Sequence, residues 1–509
     1  MRGYLRRLVT TGAAYQFGDV LAKAIALVTI PLYTRHVPRA GYGAANSLLT
    51  AVILASIFLR VGVGEAFIRF YFDDADQTRR ARIARTATAT VAWTTTLAAS
   101  AALLLSGPLS KLLLGFHDPL LIDCAVVGLW AFTNLEMAYA QLRVDERTRA
   151  YVFASGANVL MSAAFTVALV VVAHEGARGL LLGNFAASAF VVLGLWVLLR
   201  RRFSLRVNAS DLRAMLRFGL PTVPADASVY ALQVADRFYV YRSYSHAAAG
   251  DYSIAISLAT VVFVIVRGFQ YAWPPLAYSI SSDADAARLY ALVTTYFVLA
   301  TGAVVTAVAL LGRWIVRLLA AHAYFGAHTA LPWLALGWSL YGVYQVMVAI
   351  TGRARATTRN VPAAALGLAV NIVLLLVLVP RSGAGLGITG AALALCGAYI
   401  AMIAAMRALT RSLLPVAFEW WRLVHAAAIL AAVAVSGELL LSPSGAAGFV
   451  TRVLWLALVP ALLLLTRFFS AQERVGAGAM LAEARRRIAA GRSPATELEA
   501  YADDPLRDL

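Results

Sequence analysis

The fold class of this chain is decided by an apolar stretch at residues 361–380, VPAAALGLAVNIVLLLVLVP, which contains no charged residue. A helix needs about 20 apolar residues to cross a bilayer, so this stretch is predicted to span a membrane. The rest of the chain has a similar character, because 61% of its 509 residues are hydrophobic and only 14% are charged. A soluble domain has about a quarter charged residues. The sequence therefore predicts an all-α polytopic membrane protein.

Hydropathy and the positions of the charged residues predict fourteen membrane spans. They lie near residues 9–32, 42–66, 84–107, 119–142, 151–173, 179–199, 213–241, 250–272, 286–311, 328–351, 361–380, 386–408, 421–441 and 447–469. The first is interpreted as a span and not as a removable signal, because its apolar stretch is long and carries Asp19 and Lys23. No loop is long enough for an independent soluble domain.

An internal repeat links the fifth and eleventh spans. Residues 157–184, ANVLMSAAFTVALVVVAHEGARGLLLGN, resemble residues 370–395, VNIVLLLVLVPRSGAGLGITGAALAL, in an asparagine, an apolar run and a glycine-punctuated loop. Six spans separate the two copies, so the halves are predicted to share one topology. We therefore expect six-helix lobes at 1–205 and 206–412, an extra helix pair at 413–470 and a cytoplasmic tail at 471–509.

The distribution of basic residues predicts the orientation. The net charge is +18, and arginines collect in alternate inter-span segments, such as residues 79–85 and 200–206, while the segments between them hold few. Basic segments stay on the cytoplasmic side. Both termini are thus predicted to be cytoplasmic, and the basic charge is explained by a bilayer and not by a nucleic-acid partner.

The sequence contains no motif for catalysis or nucleotide binding, such as a P-loop, GxSxG or HExxH. Its two cysteines, Cys124 and Cys396, form no metal-binding pattern. We therefore expect no enzyme activity, no metal and no cofactor. Transport would draw its energy from an ion gradient, the membrane potential or the gradient of the substrate itself.

Charged residues inside the predicted spans are the candidates for function, because each costs about 2.5–3.5 kcal/mol at a helix centre. The candidate cations for a substrate cavity are Lys23, Arg60, Arg69, Arg237 and Arg267, and the candidate coupling or ion-pairing acids are Asp19 and Asp226.

The separation of two of these arginines matches the repeat. Arg60 and Arg267 are 207 residues apart and lie at similar depth on the second and eighth spans. Guanidinium groups bind phosphate oxygens bidentately, so a cavity between the lobes that binds a diphosphate is the functional interpretation. Four alternatives stay open. Asp19 and Lys23 would be a structural pair, and Arg69 would reach the membrane interface. Asp236 and Arg237 would mark the outer end of a helix, and Arg60 and Arg267 would form ion pairs that fix helix packing.

Two stretches resemble the polysaccharide-transporter branch of the multidrug/oligosaccharidyl-lipid/polysaccharide (MOP) exporter superfamily, which includes the Wzx-like oligosaccharide flippases. Residues 41–73, GYGAANSLLTAVILASIFLRVGVGEAFIRFYFD, are similar to its pattern of a glycine-tyrosine loop, an apolar helix and an arginine-aromatic end. Residues 366–394 are similar to its eleventh helix. The resemblance covers about residues 1–410.

The resemblance implies two six-helix lobes arranged as a V and export of undecaprenyl-diphosphate-linked oligosaccharide, for polysaccharide or lipopolysaccharide, across a bacterial inner membrane by alternating access. It carries a substrate-binding role best to Arg60, Arg237 and Arg267. Partners would be the lipid-linked substrate, the bilayer and other membrane proteins of polysaccharide assembly. The alternatives are a cation-coupled multidrug antiporter of the same superfamily and a membrane polysaccharide polymerase or ligase.

Overall fold

A computed structural model describes residues 21–72, 76–145, 147–200, 205–220, 223–280, 282–354 and 356–469. These residues form helices and connecting turns, with no β-strand among them. The helices are α1 (residues 21–36), α2 (Arg39–Leu59), α3 (Val63–Phe72), α4 (Gln77–Leu104), α5 (Ser106–Leu114), α6 (Pro119–Val144), α7 (Thr148–Val167), α8 (Gly176–Leu198), α9 (Ala209–Gly219), α10 (Val223–Ser243), α11 (His246–Ser279), α12 (Asp283–Leu319), α13 (Leu331–Arg353), α14 (Asn360–Leu378), α15 (Gly387–Thr410), α16 (Trp420–Leu440), α17 (Gly445–Leu456) and α18 (Leu458–Leu465). A π-helical turn (Ala168–Val172) extends α7, and a 3₁₀ helix (His322–Thr329) connects α12 to α13.

The all-helical membrane fold is confirmed. Twelve of the described segments are long and apolar enough to cross a membrane, with α17 and α18 counted as one. The other two predicted spans are the first, described only from residue 21, and the seventh, which corresponds to the more polar α10. The number fourteen stays a prediction.

Three predicted spans differ in detail from the helices. The second ends earlier, because Val61 and Gly62 adopt positive φ angles of 47° and 69° after α2. The seventh is divided between α9 and α10. The last is divided after Leu456, where Pro460 follows within the first turn of α18. Proline lacks an amide hydrogen and clashes with the carbonyl four residues earlier, so a continuous helix is disfavoured there.

Polar side chains fix the starts of several helices. Asp76 accepts a hydrogen bond from the amide of Thr78 (2.9 Å) at the start of α4. Asn208 caps α9 through the amides of Ser210 and Asp211, both at 3.1 Å. Such caps pair amides that have no partner within the helix. The short amphipathic α9 is thereby set off from the spans on either side.

The helices up to Phe418 form one compact unit. Within it, α2, α4, α6, α7 and α8 pack together, and we call them, with α1, the first lobe. Helices α10–α15 pack together as the second lobe, and α9 packs on α3 and α4. The lobes meet where α2 contacts α10 and α11. The predicted domain boundaries stay predictions.

A second unit begins at Glu419. Its core contains the guanidinium of Arg452, which is fully buried and bonds with the Glu438 carboxylate and the carbonyl oxygens of Leu441 and Ser442. The indole of Trp455 donates to Ser436 (3.1 Å). These bonds fix the turn between α16 and α17.

Candidate functional site

One aromatic ring brings together cations from both lobes. Phe263 of α11 is buried, with 9% exposure. The Lys23 ammonium, from α1, lies 4.5 Å from the centre of this ring, and the Arg267 guanidinium lies 5.0 Å from it. The two charges are therefore within about 10 Å of each other. At that separation like charges repel by about 2 kcal/mol for an effective dielectric constant of about 20.

We call Lys23, Phe263 and Arg267 the cationic cluster. The cluster lies far from the end of the lobes where α2 and α11 begin. We call that end the outer end, after the predicted orientation. With a rise of 1.5 Å per residue, the ring is about 25 Å along α11 from its first residue, in a bilayer core of about 30 Å. The Arg267 side chain is exposed and forms no ion pair with a described residue. Within the apolar segment of α11, His246–Gln270, the ring lies past the midpoint, towards the end opposite to the outer end.

Arg60 lies at the depth predicted for it but not in the cluster. It follows the first residue of α2 by 21 positions, as Arg267 follows the first residue of α11. Arg60 terminates α2, however, and its Nε lies 3.4 Å from the carbonyl oxygen of Ser56. No described acid pairs with it. The structure therefore joins Arg267 to Lys23, and leaves Arg60 at the inner end of α2.

Arg69 and Arg237 lie elsewhere. The Arg69 guanidinium stacks on Phe218 of α9 at 4.7 Å, which ties α3 to α9. Arg237 is about 9 Å from the end of α10 at the outer end. Its Nε is buried and has no hydrogen-bond partner among the described residues.

The two candidate acids are not placed by the structure. Asp19 lies outside the described residues, and so does the side chain of Asp226, although its backbone is part of the first turn of α10.

A bidentate ion pair joins the lobes at the outer end. Nε of Arg39, the first residue of α2, donates to the Asp251 carboxylate on α11 (3.0 Å), and Nη2 donates to its other oxygen. The Asp251 side chain is 4% exposed and that of Arg39 is 38% exposed. The carboxylate also lies against Gly326 of its own lobe, and the Arg39 guanidinium contacts it from the first lobe, so this pair joins the two lobes directly.

Backbone packing brings α2 and α11 close enough for this pair. A Cβ atom on Gly43 would lie 2.5 Å from the carbonyl oxygen of His246, and one on Gly250 would lie 2.2 Å from that of Arg39. Such distances are below van der Waals contact. Only glycine permits the helices to approach so closely.

The 3₁₀ helix of the second lobe completes the contact at the outer end. The Tyr324 hydroxyl donates to the carbonyl oxygen of Val37 (2.7 Å), and the amide of Ala321 donates to the Thr34 hydroxyl (3.0 Å). Burial raises the pKa of Tyr324 above its ordinary value, so this hydroxyl keeps its proton. The lobes are closed at the outer end.

A cavity of about 340 Å³ lies within the first lobe, between α1, α2, α7 and α8. Of the fifteen described residues that line it, eight have neutral polar side chains, and none of these fifteen is charged. The polar residues are Thr29, Tyr33, Tyr42, Asn46, Asn158, Ser162, Thr166 and Asn184.

Sequence reasoning missed the contact at the outer end and this cavity. Neither the charge pattern nor the repeat indicates that Arg39 pairs with Asp251. The glycines at 43 and 250 were the available signal, because both lie near the starts of matching helices in the repeat. The asparagine of the repeat, Asn158, is a residue of the cavity, whereas its counterpart Asn371 is fully buried.

A family model described as "Polysaccharide biosynthesis protein" matches residues 11–281, which is just over half of the chain. The chain belongs to this family. A search of curated proteins finds no match to this chain. The matched segment includes α1, α2 and the whole of α11, and therefore the whole cationic cluster.

Solved structures share the fold of this family member. The "Lipid II flippase MurJ, inward closed conformation" is 12% identical, with a TM-score of 0.69, and the match covers 90% of this chain and 99% of that one. An inward-facing multidrug resistance MATE family transporter of the MOP superfamily is 13% identical, with a TM-score of 0.60, covering 79% and 96%. The Vibrio cholerae MATE transporter VcmN in the bent form is 14% identical, with a TM-score of 0.51, covering 80% and 97%. The family member has the MOP-superfamily fold.

Proposed function

We propose that this family member is a flippase that moves an undecaprenyl-diphosphate-linked oligosaccharide across the bacterial inner membrane by alternating access. The observation that carries the proposal is the cationic cluster, in which Lys23 of the first lobe and Arg267 of the second lie over the same ring of Phe263. The family description and the fold support a role in polysaccharide export.

A diphosphate fits the cluster electrostatically. An anion between Lys23 and Arg267 would make a charge-assisted contact with each of them, worth about 1.5–3 kcal/mol apiece. Arginine offers a planar fork to two phosphate oxygens, and lysine adds a point charge.

The contacts between the lobes support the transport cycle. In this conformation the outer end is held closed by the Arg39–Asp251 ion pair and the packing of Gly43. Movement of the substrate to the outer side requires these contacts to separate while the lobes approach at the inner end. Because the cluster contains one cation from each lobe, a bound diphosphate would reduce the cost of bringing the lobes together there.

The alternatives fit the residues less well. A drug or organic-cation antiporter would need an acidic cavity, whereas the cluster between the lobes is basic. A polymerase or ligase would need a sizeable outward loop for sugar chemistry, and the sequence provides none. We therefore propose transport without catalysis, with the lipid-linked substrate and the bilayer as partners; assembly with other membrane proteins stays a prediction.

The test is export of lipid-linked sugar per molecule of inserted protein in cells. Lys23→Ala and Arg267→Ala should each reduce normalised export at least tenfold, while Arg381→Ala, which removes an exposed arginine stacked on Tyr244 at 5.7 Å, should not. Arg60→Ala should have a smaller effect, because Arg60 lies outside the cluster. Unchanged normalised export in the Lys23 and Arg267 variants, or reduced membrane abundance without reduced export per molecule, would refute the proposal.

A further inference from the structure

The ring of Phe263 contacts a second aromatic side chain besides the two cations. Trp338 of α13 lies with its ring centre 4.5 Å from that of Phe263, and the two ring planes are inclined at 55°. Aromatic rings at that separation are in direct contact. The indole therefore limits the orientations that the Phe263 ring can adopt.

Trp338 is itself fixed by Tyr341, one turn further along α13. Their ring centres are 5.9 Å apart, and the planes are nearly perpendicular, at 80°. The Tyr341 hydroxyl accepts a hydrogen bond from Nε2 of Gln270 on α11 (3.3 Å). Tyr399 of α15 packs on Tyr341 with a centre-to-centre distance of 5.4 Å. The indole is thus part of a network that joins three helices of the second lobe.

This network contacts α11 on both sides of Arg267 in the sequence. Phe263 precedes Arg267 by four residues and Gln270 follows it by three, so the three side chains lie on one face of α11. Trp338 contacts the first of them and Tyr341 the last. Helix α13 therefore fixes the rotation of α11 about its axis at the level of the Arg267 guanidinium.

The orientation of the Phe263 ring determines where the two charges lie. A cation is attracted to the face of an aromatic ring, so the attraction weakens when the ring turns away. The Lys23 ammonium and the Arg267 guanidinium lie 4.5 and 5.0 Å from the ring centre. Like charges so close repel each other. Without the indole, the ring could turn about its side-chain torsions and the two cations would separate.

We propose that Trp338 is a positioning residue for the cationic cluster, and that it holds the Phe263 ring so that Lys23 and Arg267 converge before the substrate binds. This proposal rests on the proposed function, in which the two cations bind the diphosphate. Trp338 acts through Phe263 and need not touch the lipid. Cations that are already in place bind an anion more tightly than mobile ones, because binding then requires less ordering.

The first measurement reports on Lys23 in the absence of substrate. Lys23 and Lys111 are the two lysines of the chain. Reductive methylation of the purified full-length protein with an isotope-labelled reagent gives each of them an NMR signal, and methylation keeps the positive charge. Nuclei over the face of an aromatic ring resonate upfield. The Lys23 signal, assigned by its loss in Lys23→Arg, should lie upfield of the signal of the exposed Lys111.

Substitutions then test the role of the indole. Phe263→Leu removes the ring and should move the Lys23 signal downfield. Trp338→Ala should move it in the same direction, whereas Trp338→Phe keeps a ring against Phe263 and should restore most of the upfield position. The matched control is Trp333→Ala, because Trp333 lies on the same helix and is 40% exposed. It should leave the Lys23 signal unchanged.

The second measurement is the affinity for undecaprenyl diphosphate without sugar in lipid nanodiscs. Trp338→Ala should weaken binding about fivefold, the loss expected for one cation–π contact at a partly buried site. In a Phe263→Leu background the same substitution should have no further effect, because it acts through that ring. A substitution that only destabilised the fold would weaken binding equally in both backgrounds. Trp338→Leu, which keeps more apolar volume, replaces Trp338→Ala if the alanine variant is not stably inserted.

Two results would overturn the proposal. One is a Lys23 signal that stays in place when Trp338 is replaced by alanine or leucine. The other is a loss of affinity that is as large without the Phe263 ring as with it. Failure of the proposed function has a different signature, because Arg267→Ala would then leave the affinity for the bare lipid unchanged while the Lys23 signal still responded to Trp338→Ala.

Discussion

The ion pair between Arg39 and Asp251 should control whether the outer end is closed. Arg39→Ala leaves the Asp251 carboxylate buried without its partner in the closed conformation, whereas separated lobes expose it to water. Loss of a partner costs about 3–5 kcal/mol in a fully buried pair and about 0–1 kcal/mol in an exposed one. With side-chain exposures of 4% for Asp251 and 38% for Arg39, this pair lies between those limits, at about 2 kcal/mol.

A change of about 2 kcal/mol shifts the equilibrium between closed and open outer ends about thirtyfold towards the open one. Asp251→Asn should shift it in the same direction. The double variant should shift it little further, because the two residues act through one contact.

Double electron–electron resonance measures this shift as a distance distribution. Spin labels at Arg35→Cys and Ala323→Cys report on exposed positions of the two lobes beside the outer contact, in a background with Cys124 and Cys396 changed to serine. The Arg39 variant should gain a longer distance that the unchanged chain scarcely populates.

A matched control is available in the first lobe. Arg178 and Asp118 form an ion pair (3.1 Å) that joins no element of the second lobe, with an arginine as exposed as Arg39 and an aspartate that is 24% exposed. Arg178→Ala should leave the distance distribution unchanged. If Arg39→Ala gives the same distribution as Arg178→Ala, the pair does not hold the lobes together and the reasoning is wrong.

Three other predictions follow from the structure and the charge pattern. Gly43→Val should keep the outer end from closing, measured with the same pair of spin labels. Gly156 has open space around it, so Gly156→Ala should leave closure unchanged. Closure of the outer end in both variants would contradict the packing argument. Arg452→Met should destabilise the unit beginning at Glu419 by about 2 kcal/mol in thermal unfolding, because the partly exposed Glu438 loses its partner; an unchanged transition would show that the pair is dispensable. A phosphatase fused after Leu509 should be inactive, because the termini are predicted to be cytoplasmic; an active fusion would invalidate the fourteen-span topology.

The fold could be predicted from the sequence because the bilayer imposes a local requirement. Every span must satisfy its backbone and present apolar side chains, so segments such as 361–380 are visible without any knowledge of their neighbours. The breaks were harder to place. The positive φ angles at Val61 and Gly62 end α2 within a stretch that is apolar on both sides.

The candidate site was predicted only in part, because its contacts join distant residues. The cost of burying a charge identified Lys23 and Arg267 separately, but no local pattern indicates that both lie over Phe263. The partner of Arg39 is 212 residues away. The sequence does not distinguish a charged loop residue that faces water from one that forms an ion pair between the lobes.

The most direct test of the cationic cluster is the affinity of purified protein for undecaprenyl diphosphate without sugar. Arg267→Ala should weaken binding roughly ten- to hundredfold, since a charge-assisted contact is worth about 1.5–3 kcal/mol. Arg267→Lys should restore only part of it, because an ammonium lacks the two-pronged contact. Arg381→Ala should bind as the unchanged chain does. Equal affinities of the unchanged chain, Arg267→Ala and Lys23→Ala would contradict a diphosphate site at this cluster.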